Sequence, residues 1–198
     1  MKRLHRDDIY SWSVFDERLN IDFHSVVWVR PDGNVVIDPL PLSEHDRTHL
    51  EQLGSVSTIV ITNSDHVRAS KSLAEATGAR ILGPTDERDQ LECDAWLNDG
   101  DTVVPGLMVI TLQGSKTPGE LALLLEETTL ITGDLIRAVE AGRLCLLPDP
   151  KLSDKTMAVA SLKRLADLPR IEAVLPGDGW PVFRGGAQAL ADLAAALA

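Results

Sequence analysis

Thr58-Ile59-Val60-Ile61-Thr62-Asn63-Ser64-Asp65-His66-Val67-Arg68 is the stretch on which the fold turns. Its first five residues are all β-branched, which predicts a strand covered on both faces. Polar residues follow at once. A helix is expected over 67–76, closed by Gly78, and a further strand over 79–82. Strand, loop, helix and strand in that order predict a βαβ crossover, a unit whose functional residues sit in loops beyond the strand C-termini.

Upstream, 26–29 reads as a strand, 30–34 (Arg-Pro-Asp-Gly-Asn) as a hairpin turn and 35–37 as the returning strand. Asp38-Pro39 stops it, because proline has no amide proton for the ladder. Ser43 then caps a helix that runs to Leu53, before Gly54. Downstream, strands are expected over 102–104, 107–112, 121–125 and 128–132, the last ending at Gly133-Asp134. Pro148 and Pro150 predict an irregular stretch up to Leu152. Ser153 or Asp154 caps a helix to about Leu168, followed by a strand over 171–175, a loop over 176–181 and a final helix over 185–197. This order suits two β-sheets packed face to face with helices on both outer faces. No Pro/Gly/Ser linker or repeat divides it, so residues 1–198 are read as one domain.

The 30 acidic residues outnumber the 19 basic ones, for a formal net charge of −11, and no basic stripe stands out. That argues against nucleic acid as a partner. No apolar run is long enough to cross a bilayer, and residues 1–8 lack the apolar segment of an export signal. Cys93 and Cys145 are far apart and in no ligand spacing, as expected of reduced thiols in a cytoplasmic protein.

Four loops after expected strands are rich in charged or small residues: 62–68, 114–120 (Gly-Ser-Lys-Thr-Pro-Gly-Glu), Gly133-Asp134 and 177–180 (Gly-Asp-Gly-Trp). Singly, each has an ordinary explanation as a helix cap or a turn. In sequence, they resemble the metallo-β-lactamase superfamily over nearly the whole chain. In that family a strand leads to Thr-His-x-His-x-Asp-His, followed later by Gly-His-Thr-Pro-Gly, Gly-Asp and Gly-His-Gly loops. The resemblance implies a four-layer αβ/βα sandwich and a site where two zinc or iron ions activate a hydroxide for hydrolysis.

Thr117-Pro118-Gly119 and Gly133-Asp134 match the family pattern as written, but Lys116 and Asp178 stand where it has histidines. The first motif aligns in two ways. Without a gap, Asn63 and Asp65 replace the first two histidines, and Val67-Arg68 replaces the Asp-His pair. Arg68 and Lys116 then fall among Asp65, Asp134 and Asp178, where guanidinium and ammonium groups can neutralise the carboxylates in place of metal. With a two-residue deletion, Asp65-His66 becomes the Asp-His pair. Asp65, His66, Asp134 and Asp178 then form a single-ion site acceptable to zinc, iron or manganese.

These registers give two functional readings. One is a metal-free, non-standard or inactive hydrolase homologue with a polar pocket; the other is a metal-dependent hydrolase using one ion. A third is an assembly module. The pocket is expected to comprise Asn63, Asp65, His66, Arg68, Lys116, Asp134, Asp178 and Trp180, with no catalytic residue assigned. A small-molecule ligand and a homodimer are the partners this reading leaves. His24, His45 and His49 match no family position. Trp12, Trp28 and Trp96 are read as core or pocket-wall residues, and a lone histidine opening a helix, such as His66, is ordinarily a surface or capping residue.

Overall fold

The computed structural model describes residues 1–197. Two sheets face each other, and an apolar layer of mostly Val, Ile and Leu fills the space between them. The first sheet has seven strands in chain order: β1 (Lys2–Arg3), β2 (Ile9–Asp16), β3 (Ile21–Trp28), β4 (Asn34–Ile37), β5 (Val56–Val60), β6 (Arg80–Pro84) and β7 (Ala95–Leu97). β1 to β4 form an antiparallel meander, and β4 to β7 run parallel. Helices α1 (Glu44–Leu53) and α2 (Ser70–Thr77) make the parallel crossovers and pack on the outer face through Leu50 and Leu73. Ser43 caps α1 by accepting the Asp46 amide, as its position predicts.

The second sheet follows the order β14-β11-β10-β9-β8, with β8 (Thr102–Val104), β9 (Leu107–Leu112), β10 (Glu120–Leu125), β11 (Thr129–Thr132) and β14 (Ala173–Pro176). Helices α3 (Lys155–Ala166) and α4 (Gly186–Ala196) cover it through Leu162, Leu165 and Leu190. The result is the expected four-layer αβ/βα sandwich. β10 is buried at every position, as a strand covered on both sides must be.

Three expectations are corrected. The first strand is not confined to 26–29: β2 and β3 form a hairpin of two eight-residue strands in which alternation with Ser, His and Asp hides the β pattern. The helix expected over 67–76 begins only at Ser70, because Ser64–His66 forms a 3₁₀ turn capped by Asn63, and Arg68 adopts a left-handed φ of 42°. The stretch before Leu152 is not irregular throughout. β12 (Ile136–Glu140) and β13 (Arg143–Leu146) pair as a hairpin turning at Gly142, whose φ of 78° suits glycine. Pro148 and Pro150 fall beyond it, so they break nothing.

Candidate functional site

The C-terminal ends of β4, β5, β11 and β14 lie side by side, and their loops converge there. Asp38, on the first residue after β4, organises this end. Its carboxylate accepts the Thr62 amide at 2.8 Å and the Thr62 hydroxyl at 2.6 Å, and lies 2.8 Å from His66 Nδ1. Asp38 itself has a left-handed φ of 49°, a strained conformation for aspartate that these bonds hold in place. With Nδ1 donating to Asp38, His66 presents Nε2 to Asp134, 3.5 Å from Oδ2. His66 is therefore a buried member of this cluster and not the surface or capping residue that a lone histidine opening a helix ordinarily is. Gly177 makes room for it: a Cβ there would lie 2.9 Å from the imidazole Cε1.

Asp134, 1% exposed, is the hub. Its Oδ2 accepts from the Asn63 amide nitrogen at 3.1 Å and from Lys116 Nζ at 3.0 Å, and its Oδ1 lies 3.7 Å from the Arg137 guanidinium. Burial pushes this carboxyl up, but the neighbouring His66, Lys116 and Arg137 outweigh burial and hold it below the usual carboxylate range. Lys116 also pairs with Asp65, at 2.7 Å. Burial works against the ammonium, yet Asp134 and Asp65 more than compensate and hold it above the usual lysine range.

On the far side, Asp178 pairs with Arg137, and Arg68 lies 3.7 Å from its Oδ1. Arg68 also donates to the carbonyls of His24 (2.7 Å) and Asp38 (3.2 Å). Asp178 Oδ1 is buried without a hydrogen-bond partner. Gly179, φ 89°, lets this loop pass the β12 backbone, since a Cβ would overlap the Ala138 carbonyl.

Asn63, Asp65, His66, Arg68, Lys116, Asp134 and Asp178 thus lie in one connected cluster of polar contacts. Trp180 does not join them: it is 55% exposed and lines a neighbouring cleft. His45 is exposed, and His49 meets Tyr10 edge-on, away from the site. Trp12 and Trp28 are buried, while Trp96 lies partly exposed beneath Arg88.

Four site residues escape the sequence reading. Asp38 appears there only as the end of a strand, and Arg137 only as part of an irregular stretch. Glu87, fully buried, accepts the Ser64 amide (2.7 Å) and the Gly119 amide (3.1 Å), tying the first two loops together. Glu120, also fully buried, accepts the Leu135 amide (2.8 Å) and the Ser115 hydroxyl (2.5 Å), tying the second loop to the third. Burial and the charge of Asp134 push Glu120 up to about 7. An acid opening an otherwise apolar strand, Glu-Leu-Ala-Leu-Leu-Leu, was the one available signal.

His66, Asp134 and Asp178 each offer a donor atom within 4.8 Å of the others, and among the described residues they form the one group able to hold a metal ion. One imidazole and two carboxylates are sound chemistry for a single divalent ion. Two ions do not fit this set, which has three donors where a bridged pair needs more. Asp65 stands outside the group, on Lys116.

A family model described as "Metallo-beta-lactamase superfamily" matches residues 1–197. A hydroxyacylglutathione hydrolase from Chelativorans sp. (strain BNC1) is 32% identical over 126 residues, which cover 60% of this chain and 46% of that protein. The chain spans about half the length of the curated relatives it matches. Among solved structures, a metallo-β-lactamase from Pontibacter korlensis superposes with a TM-score of 0.71 at 17% identity, covering 94% of each chain. The protein TTHA1623, solved in a di-iron-bound form, gives 0.71 at 23% identity, covering 92% of this chain and 98% of that one. At these identities the superpositions speak to fold alone. No helix among the described residues is long and apolar enough to cross a membrane.

Proposed function

Because the chain belongs to the metallo-β-lactamase superfamily, we propose that its site is that family's pocket rebuilt to stand without the usual ion pair. Lys116, Arg68 and Arg137 supply the positive charge. The observation that carries this reading is the Lys116 ammonium, 2.7 Å from Asp65 and 3.0 Å from Asp134, on the Thr-Pro-Gly loop where the family presents a histidine. A protonated amine cannot ligate a metal, and it repels a cation placed on the carboxylates it neutralises. On this reading the protein is a non-standard or inactive hydrolase homologue whose pocket receives a small polar molecule. Lys116, the most exposed of the three cations, would meet it.

The test is elemental analysis of protein purified without added metal. The expected result is substoichiometric metal, and stoichiometric zinc, iron or manganese would overturn the reading.

A second reading is supported by the buried Asp178 Oδ1, which accepts no hydrogen bond, and by the convergence of three donors. On it, His66, Asp134 and Asp178 hold one divalent ion, and the chain hydrolyses an ester or thioester, as the name of its hydroxyacylglutathione hydrolase relatives suggests. When bound, such an ion supplies a polarised water. Asp38 would fix the His66 ring through Nδ1, leaving Nε2 for the ion. If Asp134→Ala changed neither metal content nor hydrolysis of generic ester, thioester and phosphodiester substrates, this reading would fall.

Cytoplasmic residence and a homodimer complete the proposal. Free Cys93 and Cys145 support the first, and the exposed Val14, Phe15 and Leu19 support the second. Cell fractionation and concentration-dependent sedimentation test them.

A further inference from the structure

Beside the polar site, the sandwich is open along one edge. In β2 and β3 the pairs Ile9–Trp28, Ser11–Val26 and Ser13–His24 face the same side, and Ile9, Val26 and Trp28 belong to the core between the sheets. Large apolar side chains would be expected at all six positions, yet three hold Ser11, Ser13 and His24. The missing volume appears as a cleft of about 420 Å³, backed by Leu175 and rimmed by Trp180 and Phe183.

Packing does not explain these residues. Ser11 is only 7% exposed, and its hydroxyl finds just the carbonyl of its neighbour Trp12, at a long 3.4 Å. A nearly buried hydroxyl so poorly satisfied leaves hydrogen-bonding capacity unused beside a cavity. Phe183 stacks on His5, ring centroids 5.8 Å apart, whereas Trp180 is 55% exposed, a costly way to keep a large aromatic ring unless a ligand stacks on it. His24 closes the end nearest the polar site, its Nε2 donating to the Gly179 carbonyl at 2.8 Å.

The volume lies in the range of small-molecule sites, about 300–1,000 Å³. Charge narrows the ligand further. Lys2 and Asp22, one of each sign, stand at the cleft, and Asp46 is paired with the Met1 amine. The lining therefore has no net charge to offer an ion.

We propose that this cleft binds a small, neutral, ring-containing molecule, stacked on Trp180, edged by Phe183 and hydrogen-bonded to Ser11. The site is separate from the Asp134 cluster and does not rest on the metal-free reading of it.

The test titrates the full chain with the neutral fluorophore N-phenyl-1-naphthylamine, following probe emission and quenching of tryptophan fluorescence. Saturable one-to-one binding is expected. Trp180→Ala, at an exposed position that folding does not need, should weaken it roughly tenfold. Ser11→Leu, which fills the cavity, should weaken it at least as much. Met157→Ala, on a distant exposed helix face, should leave it unchanged. Absence of saturable binding overturns the proposal. So does binding that survives both cleft variants, or tighter binding of the anionic 1-anilinonaphthalene-8-sulfonate than of the neutral probe.

Discussion

The two halves of the polar site use the same chemistry at different depths. On one half, Lys116 bridges Asp65 and Asp134 near solvent, with Asp65 54% exposed. On the other, Arg137 and Arg68 meet Asp178 with side chains 13%, 10% and 3% exposed. Burial sets what each pair is worth. An exposed ion pair is screened and contributes little, whereas a buried one is costly to form and costlier to break. The deep half therefore holds the loops together, and the shallow half is where a ligand, or evolution, can exchange partners cheaply.

The sharpest way to break this contrast is at Asp178. Asp178→Ala removes the buried carboxylate that two guanidiniums share, leaving Arg137 only Asp134 at 3.7 Å and Arg68 only backbone carbonyls, and should cost about 3–5 kcal/mol in a denaturant melt. The double variant Asp178→Leu/Arg137→Met removes charge from both sides and should recover much of that loss. A single variant as benign as the double one would mean the deep half is not structural.

Next in size is Glu120, which ties the Lys116 loop to the Asp134 loop through Ser115 and Leu135. Its folded-state value of about 7 lies above the ordinary 4.5. Its contribution to stability is thus full below about pH 4.5 and fades as the pH rises through about 7, at about 1.4 kcal/mol per pH unit. Glu120→Gln keeps one acceptor and adds a donor, so it should abolish that fade and exceed the parent in stability above pH 7. Parallel stability–pH curves for the two proteins would refute this.

On the shallow half, Lys116→Met should cost roughly 1–2 kcal/mol, since Asp134 keeps Asn63 and Arg137. The direction of the shift at Lys116 gives a sign as well: its stabilising part is present at neutral pH and fades only as the pH climbs past the usual lysine range. Smallest of all, Asp65→Ala should cost no more than about 1 kcal/mol, less in high salt. A larger loss would show that the exposed pair carries more of the loop than its burial allows.

Local chemistry made the layered fold legible. The β-branched run of 58–62, the turn at Pro31-Asp32-Gly33, the Ser43 cap and the apolar periodicity of α3 each act over a few residues, and each element formed, the strand two residues earlier than expected, at Val56–Val60. Four site loops could be listed for the same reason. Their meeting could not be derived from periodicity, although the family resemblance implied it. What escaped was set by partners distant in the chain. Whether His66 is a surface residue or a site residue stays open along the chain until Asp38, 28 positions earlier, receives its Nδ1. Arg137 reads as an irregular-loop cation until Asp178, 41 positions later, pairs with it. Glu87 and Glu120 are acids that ordinary rules keep outside, and only backbone amides from other loops make their burial tolerable.

For the stretch that begins at Thr58, the sequence by itself determined a covered strand followed by a polar loop, because β-branching and polarity act locally. It left two registers open for what that loop does. The tertiary structure decided that His66 turns inward to Asp38 and Asp134 while Asp65 turns out to Lys116. The reason is physical: a buried polar atom must find its partner in space, and spatial neighbours of an atom are not written in its place along the chain.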